Sequence, residues 1–335
     1  MTFVKKYIIL FFTFFFISTI LGYDSLNRFD YDRLLSKEGN LSDISSYKKV
    51  VEDGFNGFKD ETRIAPRMIT PIISHYVYKT FTNQVRSWHE VFFSLLMVNS
   101  FFVACICTLM MSYLRYLNIN PTLSAQFLFL CSFGVSAFHL SGLIDSSISF
   151  FIFLYILIYL KKKYFISWLV SILICLSKET SFIYLFIFHT AFLLNEYYFE
   201  KKIRIEDVVF PIVNFLTNII IINFYIINYL QMNIYEYIFH FQIEGGAVDF
   251  DKTLIDIPKF FRFFIPIIFF LYLGLKSVNK KFASLIIMCT VIHLIFLTLV
   301  IDLDGNGMGR YMFTFLGPLF CVISGVGLKN FIIKI

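Results

Sequence analysis

Ionisable residues stand at several points where an otherwise apolar chain turns. They are Asp145, Lys178-Glu179-Thr180 and Gly309-Arg310-Tyr311. Two more groups precede them: Asp43 with Tyr47, and Arg63-Ile-Ala-Pro66-Arg67 running on to Pro71. A charge at the centre of a bilayer costs about 2.5–3.5 kcal/mol on insertion scales. Near a span end the cost falls, and a lysine can snorkel to water. Lys178 and Glu179 are adjacent, and adjacent helix residues do not face one another. Each therefore needs its own partner, which points to a water-filled cavity. The arginines read equally well as lipid-headgroup anchors with no catalytic role. Asp302-Leu-Asp304-Gly-Asn306-Gly307 opens like a calcium loop. Its twelfth position is Phe313, where a bidentate Glu is required, so no metal is expected. The glycines there read as a tight turn that aims Arg310 over the cavity mouth.

The elements that must position these groups are membrane helices. The 335 residues are 58% hydrophobic and only 16% charged. Soluble domains are about 45–50% apolar and about 25% charged. That excludes a soluble enzyme, a disordered chain and a disulfide scaffold. At about 20 residues per span there is room for roughly ten helices. The expected fold is all-α: one polytopic transmembrane bundle over residues 1–335. The net charge of +6 does not imply nucleic acid, because no dense basic stripe lies beside stacking aromatics. The six cysteines lie inside apolar runs, away from any histidine cluster, and are read as small apolar residues. His139, His189 and His293 fall within spans and read as helix-packing hydrogen bonds. No phosphate-cradling Gly-rich loop, nucleophile elbow or H-E-x-x-H motif is present.

The apolar runs cover 7–22, 88–113, 122–142, 144–160, 164–177, 180–195, 208–230, 260–275, 283–301 and 311–328. Basic residues precede the first and follow every second run: Lys5 and Lys6, Arg115, Lys161–Lys163, Lys201 to Arg204, Lys276 to Lys281, and Lys329. By the positive-inside rule both termini are then cytoplasmic. The same rule turns 122–160 and 164–195 into hairpins, with outer turns at Gly142–Asp145 and Ser177–Thr180. The first run reads as an uncleaved anchor, since Ser18 to Gly22 lacks a good small-x-small cleavage site. The outer side carries a long loop over 23–87. Asp43, Tyr47 and Val50/Val51 recur at helical spacing, and Pro71 suits an early helical turn. Both segments are expected as interfacial helices.

Taken in order, D-x-x-x-Y, R-x-x-P-R-x-x-x-P, an outer Asp, K-E-T and G-R before a Pro-containing span resemble the GT-C class of membrane glycosyltransferases. Protein mannosyltransferase and aminoarabinose transferase relatives belong to that class. The resemblance implies a sugar donor on a polyprenyl phosphate, with no other cofactor. It also implies an outer carboxylate as base and basic residues on the leaving lipid phosphate. A departing phosphate in a low-dielectric site needs preorganised positive charge. Lys178, Arg63, Arg67 and Arg310 are the available outer cations, with Glu179, Asp145 and Tyr47 in support. The base is Asp43, which fits D-x-x-x-Y, or Asp24, nearer the first span, with Asp30 and Asp32 left open. The partners implied are the lipid-linked sugar donor, a glycan or lipid acceptor, and membrane lipids. The setting implied is a bacterial inner membrane. A polysaccharide polymerase and a lipid-linked glycan transporter or flippase are the competing readings. The transferase reading expects Asp43 or Asp24, Lys178 and Arg310 around one outward cavity that opens laterally to lipid.

Overall fold

The computed structural model describes residues 3–27, 42–60, 67–81, 89–230, 257–300 and 305–334. Among them every regular element is helical. We number the helices α1 (Phe3–Asn27), α2 (Ser42–Asp53), α3 (Ile69–Phe81), α4 (Glu90–Tyr116), α5 (Ser124–Leu130) and α6 (Asp145–Leu160). Then follow α7 (Tyr164–Ser177), α8 (Phe182–Glu200), α9 (Ile205–Leu230), α10 (Ile265–Ser277), α11 (Lys280–Val300) and α12 (Gly305–Lys334). Five of them, α1, α4, α9, α11 and α12, are long and apolar enough to cross a membrane. The apolar helices α6, α7 and α10 are shorter.

Side-chain contacts sort the helix ends into two groups. Arg115 at the end of α4 lies 5.2 Å from the Tyr7 ring of α1. Tyr116 donates from its hydroxyl to the Leu160 carbonyl at 3.1 Å. Lys281, opening α11, pairs with Glu196 and Glu200 of α8 at 2.8 and 3.0 Å. Asn330 near the end of α12 donates to Ser277 at the end of α10 at 2.8 Å. The basic segments that follow every second apolar run thus share one end of the bundle. The opposite end gathers the starts of α6 and α12 and the end of α7, where the candidate site lies.

α12 is the central helix, with 89% of its most apolar stretch buried. It packs closely along α10. A Cβ on Gly274 would collide with the Ile323 carbonyl oxygen, and one on Gly327 with that of Phe270. Ser324 adds a hydrogen bond to the Ile267 carbonyl at 2.9 Å. In hydrocarbon, apolar contact brings no hydrophobic gain between helices. Close approach at small residues supplies packing instead.

Several sequence expectations hold. α2 buries Ile44, Tyr47, Val50 and Val51, as its spacing requires. α3 carries Pro71 in its first turn, where a missing N–H costs little. The turn before α6 uses Gly142 at φ +86°, and that after α7 runs through Lys178 to Ser181. Two expectations need correction. The run 122–142 is not one helix: α5 stops at Leu130 and a π-helical turn covers Val135–His139. Ser132 there donates to the Phe129 carbonyl at 2.6 Å and accepts the Val135 N–H at 3.3 Å, competing with the regular ladder. The glycines before Arg310 do not form a tight turn either. Residues Gly305 to Arg310 are the first turns of α12, and Gly309 lies bare against the Phe263 ring. That helix is also incompatible with a calcium loop ending at Phe313, which is buried among aromatic rings.

Candidate functional site

The site is assembled from four elements. The first is the turn after α7. Lys178 adopts extended backbone, φ −163° and ψ 126°, which ends the helix and throws the chain into the Glu179–Ser181 turn. The second is the segment leading into α3. The Met68 N–H donates to the Leu176 carbonyl at 2.8 Å and pins this segment to the end of α7. Arg67, the residue before Met68, is thereby brought to the end of α7 that carries Lys178. The third is the start of α6, fixed by Thr70 donating to Ser147 at 2.8 Å and by Asn99 donating to the Leu143 carbonyl at 2.9 Å. The fourth is the start of α12.

Arg310 and Asp145 form a two-pronged ion pair. Nε donates to Oδ1 at 2.9 Å and Nη2 to Oδ2 at 2.8 Å. Thr314, one turn along α12, donates to Oδ1 at 3.1 Å. Asp145 lies in the first turn of α6, where the helix dipole favours a carboxylate. The guanidinium also lies 5.3 Å from the Phe138 ring. Such a fork fixes geometry as well as charge.

Lys178 meets the residue that follows Arg310, Tyr311. Its ammonium is 3.3 Å from the Tyr311 hydroxyl, to which it donates, and 4.5 Å from the ring centroid. Lys178 is 7% exposed. Arg67 is 4% exposed and donates from Nη1 to the Tyr47 hydroxyl at 3.4 Å. Lys178, Arg310 and Arg67 all act electrostatically on Tyr311, and Lys178 acts on Asp145 after Arg310. Three cations from distant parts of the chain are therefore within electrostatic reach of one tyrosine.

The positions of the expected residues divide as follows. Lys178, Arg67, Arg310, Asp145 and Tyr47 are brought together. Asp24 is exposed near the end of α1. That helix end reaches the same end of the bundle, since Ser25 donates to the Ser136 carbonyl at 2.8 Å. Asp43 belongs to the first turn of α2, but its side chain lies outside the described residues, as does that of Glu179. Arg63, Asp30 and Asp32 lie outside them altogether. Among the described residues no His/Cys/Asp/Glu group could hold a metal ion.

Sequence reasoning missed Tyr311 and Thr314. Tyr311 was visible only as the neighbour of Arg310, and Thr314 only as its i+4 position. His139 belongs to the same neighbourhood. Its Nδ1 donates to the Gly134 carbonyl at 3.2 Å, and its ring lies edge-on to Phe129 and Phe313. No protein-family model matches this chain, and neither the curated proteins nor the solved structures contain a match to it.

Proposed function

We propose that this chain is a multi-pass membrane glycosyltransferase that moves a sugar from a polyprenyl-phosphate donor to an envelope glycan or lipid-linked acceptor. One observation carries the reading. The Lys178 ammonium is buried at the end of an apolar helix, and among the described residues its hydrogen bond goes to the Tyr311 hydroxyl, not to a carboxylate. The nearby carboxylate, Asp145, is already forked by Arg310. A buried cation is costly unless an anion matches it. An anionic lipid headgroup arriving from the bilayer meets that need, and a low-dielectric setting strengthens the attraction.

In this reading Lys178, Arg67 and Arg310 stand around the phosphate, and Arg63 is a further candidate for holding it. The acceptor hydroxyl attacks the anomeric carbon as the bond from that carbon to the phosphate oxygen breaks. Asp43 or Asp24 takes the hydroxyl proton, and the lipid phosphate leaves with the bonding electrons. Preorganised cations stabilise the charge that develops on the leaving phosphate. The chain crosses a bacterial inner membrane about ten times. The basic end and both termini face the cytoplasm, and the site faces outward.

The test is transfer of labelled sugar from a polyprenyl-phosphate donor to membrane acceptors. Wild type is compared with Lys178→Ala, Asp43→Asn and Asp24→Asn at matched expression. Loss in Lys178→Ala is expected, and whichever Asp variant is silent identifies the base. Absence of donor-dependent transfer in the wild type, with lipid-linked repeat units accumulating in cells that lack the protein, would replace this reading with a polymerase.

A further inference from the structure

Two transmembrane helices of this bundle are held in opposite ways. α12 has 89% of its apolar stretch buried, while α9 has 11%. Ile212, Leu216 and Ile220 of α9 are all more than half exposed. Its inner side carries instead Asp207, Asn214 and Asn218, each 2% exposed. The spacing of seven and four residues sets these three on one stripe.

Each member of the stripe bonds to a neighbouring helix. Tyr164 of α7 donates to Asp207 Oδ1 at 2.9 Å. Asn214 donates to the Tyr155 hydroxyl of α6 at 2.9 Å and accepts from Ser171 of α7. Asn218 donates to Ser171 at 3.2 Å. Tyr155 continues the chain to His189 Nε2 of α8 at 2.8 Å. Among the described residues the network is incomplete, for Asn218 Oδ1 and His189 Nδ1 are buried with no hydrogen-bond partner there.

The register of α7 and α9 connects this network to the site. Tyr164–Asp207 and Ser171–Asn214 are both separated by 43 residues. A constant offset means a parallel pair. The same offset sets Ile221 of α9 level with Lys178. The seam between α7 and α9 therefore runs from the basic end up to the candidate site, with lipid-facing side chains on α9.

We infer that α9 is clasped to the bundle chiefly by this polar stripe, beside a few aromatic contacts of Phe210 and Phe215, and that it parts from α7 to admit the hydrocarbon chain of the lipid-borne ligand beside Lys178. The ligand part of this inference rests on the reading under Proposed function; the clasp does not. Between helices in lipid, exposed apolar faces lose nothing on separation, because acyl chains replace them equally well. What resists separation is the polar stripe, and an incomplete network resists less than a satisfied one.

The test uses the full-length protein in nanodiscs and two readouts. Asn214→Leu/Asn218→Leu removes the centre of the clasp, and Ser171→Ala is the milder variant should the double one misfold. An interhelical hydrogen bond in a membrane is worth a factor of about three. Hydrogen exchange over Ile205–Tyr225 is expected to rise about tenfold in Ser171→Ala, which breaks two of the bonds, and about thirtyfold in the double variant, which breaks three, with α12 unchanged. Unchanged exchange in α9, or equal increases in α9 and α12, would overturn the clasp. The second readout is association of a polyprenyl monophosphate, with Lys178→Ala as control. Faster association in the clasp variants is expected, with binding still dependent on Lys178. Equal rates in wild type and clasp variants would overturn the admitting role while leaving the transferase reading intact. Absence of Lys178-dependent binding in the wild type would remove both the reading and the admitting role, and the exchange result would still decide the clasp.

Discussion

The two ends of the bundle carry similar charges in different surroundings. At the basic end Lys161, Lys162, Lys163, Lys201, Lys202 and Lys280 are exposed. Lys281, the half-buried lysine there, is met by two glutamates. At the other end Lys178 and Arg67 are buried, and Asp145 is matched by Arg310. Solvated charges at span ends do the work of topology. A buried ammonium against a tyrosine is not such a solvated charge, and burying a cation is costly unless an anion matches it. The contrast is the physical reason for placing the function at the Lys178 end.

The largest effect should come from breaking the ion pair at the site end. Asp145→Ala leaves Arg310 beside an apolar hole, and removing one partner of a buried pair costs about 3–5 kcal/mol. Thermal unfolding in detergent should show that loss. Asp145→Leu/Arg310→Met should recover most of it, because replacing both charges removes the orphan.

Lys178→Ala sharpens the comparison in a different way. Stability should stay within about 1 kcal/mol of wild type or rise, since a buried cation is removed and, among the described residues, no carboxylate is orphaned. Binding of a polyprenyl monophosphate should fall at least tenfold, about 1.4 kcal/mol. A large stability loss with unchanged binding would make Lys178 a structural residue. Lys281→Ala at the opposite end should cost about 1 kcal/mol or less, as partly exposed ion pairs do, and leave binding unchanged.

The smallest effect is a titration. Glu200 is held below its ordinary value of 4.5 by its hydrogen bond to Lys281 and then by that charge. Its folded value is depressed, so the contact is complete above pH 4.5 and is lost as acid titrates the carboxylate below it. The infrared band of the protonated carboxyl should therefore appear at lower pH in wild type than in Lys281→Met.

Much of this arrangement was legible from residue spacing. The amphipathic α2, the Pro71 start of α3 and the turns at Gly142 and Lys178 follow from local pattern. The common end of the basic segments follows from their alternation. What was not legible depends on contacts distant in sequence. Arg310 meets Asp145 across 165 residues, and nothing in either segment encodes that pairing. The break after α5 is accompanied by the Ser132 hydrogen bonds, which an apolar run conceals. The glycines before Arg310 suggested a turn, yet Gly309 serves close helix approach to Phe263. Tyr311 escaped notice because successive helix positions point about 100° apart, so Arg310 and Tyr311 meet different partners.

The most direct test of the functional site is sugar transfer from a polyprenyl-phosphate donor by Lys178→Ala and Lys281→Ala, run beside wild type at matched expression. The account predicts transfer lost in Lys178→Ala and retained in Lys281→Ala. Equal activity in the two variants, or loss in Lys281→Ala alone, would contradict it.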